Sequence, residues 1–237
     1  MSEHLYLHEV IDIVGLGAWP YMEHTARAVG DEKVNFVLQG TYYTMGITGR
    51  WSQVINIWDI PGGWGGWRTA VDSLNLKRTT NTDLEDWWKE AFKHRTGGFD
   101  RLLIGAAGCP RTEELVERGV VGSLFVHEVT TVRSGTQRDY LAAVADQRAP
   151  LMADYGHTLT GLYEVAMNDT EVVTVWATDV DSHVALQRAI ADRNDVRLAT
   201  WRASAQQFAL SWREELMTPY PGCPLSPPAD AAELRQP

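Results

Sequence analysis

The sequence predicts an α+β protein made of two tandem ferredoxin-like βαββαβ repeats that fold together into a single barrel-type domain. Three observations carry this. Short motifs recur in the same order in both halves of the 237-residue chain. Both halves pass through the same succession of β-rich and helical stretches. A sheet covered by helices on one face leaves the other bare, and a second copy in the same chain can cover it.

The recurrence comes first, because a missed repeat miscasts every element. Leu5-Tyr6-Leu7-His8-Glu9-Val10 returns as Leu124-Phe125-Val126-His127-Glu128-Val129. Gly40 and Tyr42 return as Gly161 and Tyr163, and Val54-Ile55-Asn56-Ile57-Trp58 as Val172-Val173-Thr174-Val175-Trp176. Leu84 and Trp87 match Leu198 and Trp201, and without a gap Gly108-Cys109-Pro110 matches Gly222-Cys223-Pro224. Each match alone is weak; their shared order marks a duplication. The repeats occupy residues 1–118 and 119–237 and form one structural unit.

Repeat one opens with a strand over residues 5–14 and a helix over 21–29. β-branched and aromatic residues over 40–45 and 54–60, with Gly46 and Gly49 between, predict a hairpin. Helices follow over 67–74 and 84–94, the second preceded by a capping box, Thr82-x-x-Glu85. A strand over 101–106 closes the unit. Repeat two reads alike: a strand over 124–132, a helix over 136–155, a hairpin of 159–165 with 171–178 turning at Asn168-Asp169, then helices over 182–192 and 196–216. Pro219 and Pro221 predict only an edge strand or an extended tail at its end. The Pro- and Ala-rich stretch after Pro224 is expected to be mobile.

Alternation along a strand sends neighbouring side chains to opposite faces. Ile55 and Ile57, with Val173 and Val175, suit the helix-facing side. Asn56 and Trp58, with Thr174 and Trp176, are then expected between the two sheets.

This layout resembles the dimeric α+β barrel superfamily, and within it the NIPSNAP-like proteins. Their first strand opens with Tyr-Glu-Leu-Arg and their third carries an apolar run ending in Trp. His8-Glu9-Val10-Ile11 and His127-Glu128-Val129-Thr130 keep the Glu and lack the Arg; Val54-Ile55-Asn56-Ile57-Trp58 fits the second motif. The resemblance covers roughly residues 5–105 and 124–217 and implies a pseudo-dimeric α+β barrel. For function it implies several classes, because the superfamily includes cofactor-free monooxygenases, isomerases, cyclases, haem enzymes and proteins of unknown activity.

Composition narrows the partners. A hydrophobic fraction of 44% and a charged fraction of 22% are those of an ordinary folded chain. A net charge of -10 without a basic cluster speaks against nucleic acid and against anionic membrane surfaces. The first strand begins at once, with no leader pattern, which predicts no export signal. Two cysteines, Cys109 and Cys223, suit a reducing cytoplasm rather than a disulfide framework. Neither has a His or Lys neighbour in sequence to lower its pKa, so no thiolate nucleophile is expected. Homo-oligomerisation is left open.

The paired His-Glu steps are the candidate catalytic residues: His8 and Glu9, His127 and Glu128. Only one residue of each step can enter a given compartment. The polar face of Tyr6, His8, Val10 and Asp12 favours the histidines, and the resemblance favours the glutamates. A Glu in an apolar pocket has its pKa raised and can act as acid or base near neutrality; a His needs no such tuning. The alternative is that these residues only hold the halves together. Candidate substrate-binding residues are Tyr42, Asn56, Trp58, Tyr163, Thr174 and Trp176 as an aromatic wall. Trp64, Trp67 and Trp88 join them, with residues 61–67 (Pro-Gly-Gly-Trp-Gly-Gly-Trp) as a flexible lip. His94, Arg95 and Arg101 could bind an anionic substrate, but they read more readily as a solvated helix end.

No metal-ligand motif is present, and no metal is expected. The leading expectation is a cofactor-independent lyase, isomerase or monooxygenase that acts on a small hydrophobic or aromatic molecule, with the first half as the active one. The alternatives are a haem enzyme, with His157 or His183 as axial ligand, and a non-catalytic binding or interaction protein.

Overall fold

A computed structural model describes residues 4–27, 36–76, 80 and 82–228, with the side chains of 82–84 left aside. Repeat one runs β1 (Leu5–Ile13), α1 (Ala18–Arg27), β2 (Val37–Thr44), β3 (Gln53–Ile60), α2 (Gly63–Ala70), a π-helical turn (Val71–Leu76), α3 (Thr82–Ala91) and β4 (Arg95–Gly105). A short helix, α4 (Thr112–Glu117), leads into repeat two: β5 (Leu124–Val132), α5 (Gln137–Ala143), a second π-helical turn (Val144–Arg148), α6 (Ala149–Ala153), β6 (Thr158–Val165), β7 (Glu171–Thr178), α7 (Val180–Asp192), α8 (Val196–Ala205) and β8 (Ala209–Pro219).

The strands close into one antiparallel barrel in the order β1-β3-β2-β8-β5-β7-β6-β4. Each repeat contributes a sheet with its first strand in the middle. Two short seams join the sheets: Tyr42–Thr44 of β2 against Met217–Pro219 of β8, and Leu103–Gly105 of β4 against Tyr163–Val165 of β6.

The space between the sheets is filled. Tyr6 and Val10 of β1, Ile55 and Ile57 of β3, Phe125 and Val129 of β5, and Val173 and Val175 of β7 share one buried cluster that spans both repeats. Its aromatic pairs repeat the internal symmetry. Tyr42 packs on Phe125 at 4.7 Å between ring centroids, and Tyr163 packs on Tyr6 at 4.8 Å. Each Tyr ring folds back over a glycine two residues earlier. A Cβ on Gly40 would lie 2.3 Å from the Tyr42 ring, and one on Gly161 would lie 2.3 Å from the Tyr163 ring. The register of each hairpin shifts at that glycine. The repeated Gly-x-Tyr is therefore a packing device of the barrel interior.

This filling reverses the expected facing of β3 and β7. Ile55, Ile57, Val173 and Val175 lie between the sheets, while Asn56, Trp58, Thr174 and Trp176 lie beneath the helices. The sequence logic failed because the interior takes the apolar alternation as readily as the helix face does.

Other expectations change at the ends of elements. The helix expected over 196–216 stops at Ala205, and Ala209–Pro219 is a full strand pairing with both β5 and β2. Pro219 is tolerated because it is the last residue of that strand. β4 likewise starts at Arg95 rather than 101. Residues 61–67 are no loose lip: Gly62, at φ 82°, leads straight into α2, and a Cβ on Gly66 would sit 1.9 Å from the Pro61 carbonyl oxygen. Leu225 is buried in the barrel core, so the packed chain continues past Pro224. The Thr82 side chain of the capping box and the expected helix end at Val29 lie outside what the structure describes.

Candidate active site

Two compartments lie between the sheets and their own helices, one per repeat, and each centres on the Glu of the repeated His-Glu step. Strand alternation separates the two residues of each step. His8 and His127 point into the barrel and Glu9 and Glu128 point out beneath the helices.

The histidines meet on the pseudo-twofold axis. Nε2 of His8 is 3.0 Å from Nε2 of His127, and the rings stack at 5.0 Å. One nitrogen must donate and the other accept, so the two rings cannot both be protonated and keep this bond. Glu215 Oε2 lies 3.6 Å from His127 Nδ1, which favours the proton of His127 on Nδ1 and makes His8 the donor. Burial pushes both imidazoles below the usual histidine range, reinforced by the charges of Arg101 and Arg213; Glu215 partly offsets this at His127. Enclosed among core side chains, the pair has no room for substrate.

In the first compartment, register sets Asn56 of β3 and Asp100 of β4 on either side of Glu9. Glu9 Oε2 accepts from Asn56 Nδ2 at 3.0 Å and from Trp58 Nε1 at 2.8 Å, and Asn56 Nδ2 also lies 3.4 Å from the Tyr21 hydroxyl. The donors to the carboxylate are neutral. Burial, then the charge of Asp100, pushes the Glu9 carboxyl above the usual carboxylate range; the Asn56 and Trp58 bonds and the charge of Arg95 offset part of this. Arg95 stacks over the Trp88 ring at 5.1 Å, and its buried Nε and Nη1 have no hydrogen-bond partner.

In the second compartment the same register sets Thr174 and Glu214 beside Glu128. Here Arg148, the last residue of the π-helical turn, donates to both Glu128 oxygens at 2.6 Å and to Glu214 at 3.3 Å. Burial alone would raise the Glu128 carboxyl, but the Arg148 charge and bonds outweigh it and hold it below the usual range. Arg148 also lies over Trp176 at 5.2 Å and Trp201 at 5.9 Å. Trp176 Nε1 donates to Thr174 rather than to the Glu.

Helices cover both compartments. In the second, Tyr140, Leu141, Val144, Arg148, Leu151 and Met152 of the helical layer are buried. In the first, the matching helix α1 buries Ala18, Tyr21, Met22 and Thr25, and residues 28–35 after it lie outside the described residues. Asp100 is exposed and Glu9 keeps 8% of its surface. Glu128 keeps 1%.

The remaining predicted residues fall elsewhere. Tyr42 and Tyr163 belong to the barrel interior. Trp64 and Trp67 pack edge to face on each other at 5.6 Å on α2, outside the buried clusters. Trp88 joins the first helical layer. Residue types alone did not single out Tyr21 or Asp100, and Arg95 read as a solvated end. The matched Trp87 and Trp201 could have shown it, since the same register pairs the run around Arg95 with β8. Burial raises the Cys109 thiol to about 12 and the Cys223 thiol to about 11, which fits the absence of a thiolate role.

Two cofactor expectations can be set against donors. Among the described residues no group of three or more His, Cys, Asp or Glu could hold a metal ion. His157 and His183 do not fit an axial haem role. His157 Nδ1 is 2.8 Å from the Tyr155 carbonyl oxygen and its Nε2 is 3.2 Å from His183 Nδ1, while His183 Nε2 faces Gln187 at 3.4 Å. No described helix is long and apolar enough to cross a membrane.

No protein-family model and no curated protein matches the sequence. Solved structures match the fold. An anthrone oxidase-like protein aligns over 92% of this chain and 91% of its own, with a TM-score of 0.61 at 10% identity. A candidate monooxygenase of Lactobacillus acidophilus NCFM aligns over 92% and 94%, with a TM-score of 0.58 at 9% identity. Both alignments run through the two repeats together. The fold is the dimeric α+β barrel. In this barrel both halves belong to one chain. An uncharacterised NIPSNAP domain protein from Burkholderia xenovorans aligns over 42% of the barrel's chain and 97% of its own, at 17% identity with a TM-score of 0.37.

Proposed function

We propose that this barrel is a cofactor-independent enzyme of the lyase, isomerase or monooxygenase type. Its substrate is a small hydrophobic or aromatic molecule, and Glu9 is the acid/base. The observation that carries this reading is the divergence of two equivalent carboxylates. Glu128 is held ionised by a guanidinium on both oxygens, whereas Glu9 has only neutral donors and a raised pKa. A carboxyl poised nearer neutrality can take a proton and return it.

The shared step is proton transfer. Ionised Glu9 takes a proton from an acidic C–H or O–H of the substrate, becomes the neutral acid, and leaves the electron pair on the substrate. Asn56 and Trp58 fix the rotamer of the carboxyl, and Oε1, which no described residue engages, faces the reacting proton. Trp58, Trp87 and Trp88 supply flat apolar walls. Structural neighbours named as a candidate monooxygenase and an anthrone oxidase-like protein agree with the monooxygenase type.

The test is exchange. Aromatic ketones and phenols incubated with the protein in heavy water should gain deuterium at the acidic position. Glu9→Gln should remove that exchange by roughly a hundredfold or more, the usual reach of general acid–base catalysis. Exchange that survives Glu9→Gln contradicts the assignment.

A further inference from the structure

Each repeat holds an arginine–tryptophan pair where its last helix meets its last strand, and the two repeats exchange the members. The match of repeats sets Trp88, Arg95, Gly98 and Asp100 against Arg202, Ala209, Trp212 and Glu214. In repeat two the cation stands on the helix. Arg202 of α8 lies over Trp212 of β8 at 3.4 Å, and Trp212 Nε1 donates to Glu214 at 3.3 Å. In repeat one the cation stands on the strand, with Arg95 of β4 over Trp88 of α3 at 5.1 Å. The place of the Trp212 indole falls to Gly98. A Cβ there would lie 2.2 Å from the Val10 carbonyl oxygen, so the strand beside Asp100 is closed to side chains.

The exchange leaves donors without acceptors. Arg95 Nε and Nη1 are buried and have no hydrogen-bond partner, and neither has the buried Nε1 of Trp87. Trp87 packs edge to face on Trp88 at 5.2 Å, so Arg95 and Trp87 flank one indole ring. Charged donors withdrawn from water call for an acceptor, and an anionic one answers them best. The nearby carboxyls answer them poorly. Glu9 and Asp100 feel the Arg95 charge, yet both are pushed above their usual range, with burial the largest cause.

We infer that the ligand of the first compartment carries a carboxylate or an equivalent anionic oxygen group, which accepts from Arg95 and from Trp87 Nε1 and enters past the bare strand at Gly98. Arg95 pairs with Ile13 of β1 and Asp100 with Glu9, so the two strand positions stand about 13 Å apart. An anion anchored on Arg95 therefore lays the body of a small molecule, rather than its charge, toward Glu9. The inference rests on the proposed function for the location of the site and adds the group that anchors what enters it.

Calorimetry on the full chain with phenylacetate, neutral phenylacetamide and cationic phenethylamine tests it. Phenylacetate should bind once per chain and at least about tenfold more tightly than the other two. Arg95→Gln should remove that preference, and Arg95→Lys, which keeps the charge, should retain part of it. Trp87→Phe removes the indole N–H and keeps a ring, and it should weaken phenylacetate by roughly fivefold or more. Should Arg95→Gln fail to fold, Arg95→Lys and Trp87→Phe carry the test. Probes that bind alike, or a phenylacetate preference that these variants leave untouched, overturn the inference. The deuterium exchange of Glu9 is read separately. Exchange lost in Glu9→Gln, beside probes indifferent to Arg95, overturns the anion and keeps the proposed function. Exchange that survives Glu9→Gln, beside Arg95-dependent phenylacetate binding, overturns the proposed function and keeps the anion site.

Discussion

Arg148 reaches both oxygens of Glu128 at 2.6 Å, and no described cation does the same for Glu9. Duplication made these carboxylates equals, and this one pair of bonds separates them. A π-helical turn supplies the difference: the backbone over Val144–Arg148 carries Arg148 onto the sheet. The second half thereby pairs its carboxylate with a cation, and the first keeps a strained, nearly buried acid.

Removing Arg148 should expose that strain. Arg148→Met leaves Glu128 buried and unpaired, with an expected cost of about 3–5 kcal/mol in chemical denaturation. Adding Glu128→Gln should recover most of the loss, because the uncompensated charge goes with it. A double variant no more stable than Arg148→Met would show that packing, not charge, is what Arg148 supplies.

Glu9 should behave in the opposite sense. Its carboxyl is raised in the folded state, so the folded protein binds the proton more tightly than the unfolded chain does. Stability is then lost as pH rises from the ordinary Glu range through the folded pKa. Glu9→Gln removes that loss. It should raise the melting temperature at pH 8, by a stability gain on the order of 1 kcal/mol, and have a much smaller effect near pH 4. A destabilised Glu9→Gln at pH 8 would contradict the reading.

The interior histidines predict an acid limit. Both are held below their ordinary range, so their contribution is full above about pH 6.5 and is lost as pH falls below it. Protonation breaks the Nε2–Nε2 bond and sets two cations beside Arg101 and Arg213, at the centre of the joint between repeats. Denaturation midpoints should fall between pH 7 and 5, and His8→Gln should flatten that dependence. An unchanged slope would place the titration elsewhere.

Gly40 and Gly161 predict a packing effect. Alanine at either position drives a methyl into its tyrosine ring, with an expected cost of about 1–3 kcal/mol by denaturant unfolding. Tyr42→Leu should soften the Gly40→Ala penalty, since the clash is with that ring. Additive effects would show that the glycine serves the backbone instead.

The repeat made the architecture legible because it is a long-range signal. Matched motifs gave both units, the strand order within each and the pairing of halves before any element was well bounded. Local reading failed where two environments accept one pattern. Ile55-Asn56-Ile57-Trp58 alternates cleanly, yet alternation says only that two faces differ, not which one meets helices. The run from Ala209 to Leu216 read as the end of a helix, although the match of Cys223 to Cys109 had already placed it on β4. Site residues were half legible for the same reason. Glu9, Asn56 and Trp58 lie within a repeated motif, whereas Asp100, Tyr21 and Arg95 reach Glu9 only through register and helix placement.

The divergence of the two carboxylates is measured most directly by a carbon-13 NMR titration of side-chain carboxyls, with Glu9→Gln and Glu128→Gln used to assign the resonances. Glu9 should titrate above the ordinary Glu value of about 4.3 and Glu128 below it. Equal midpoints, or Glu128 titrating above Glu9, would contradict the account.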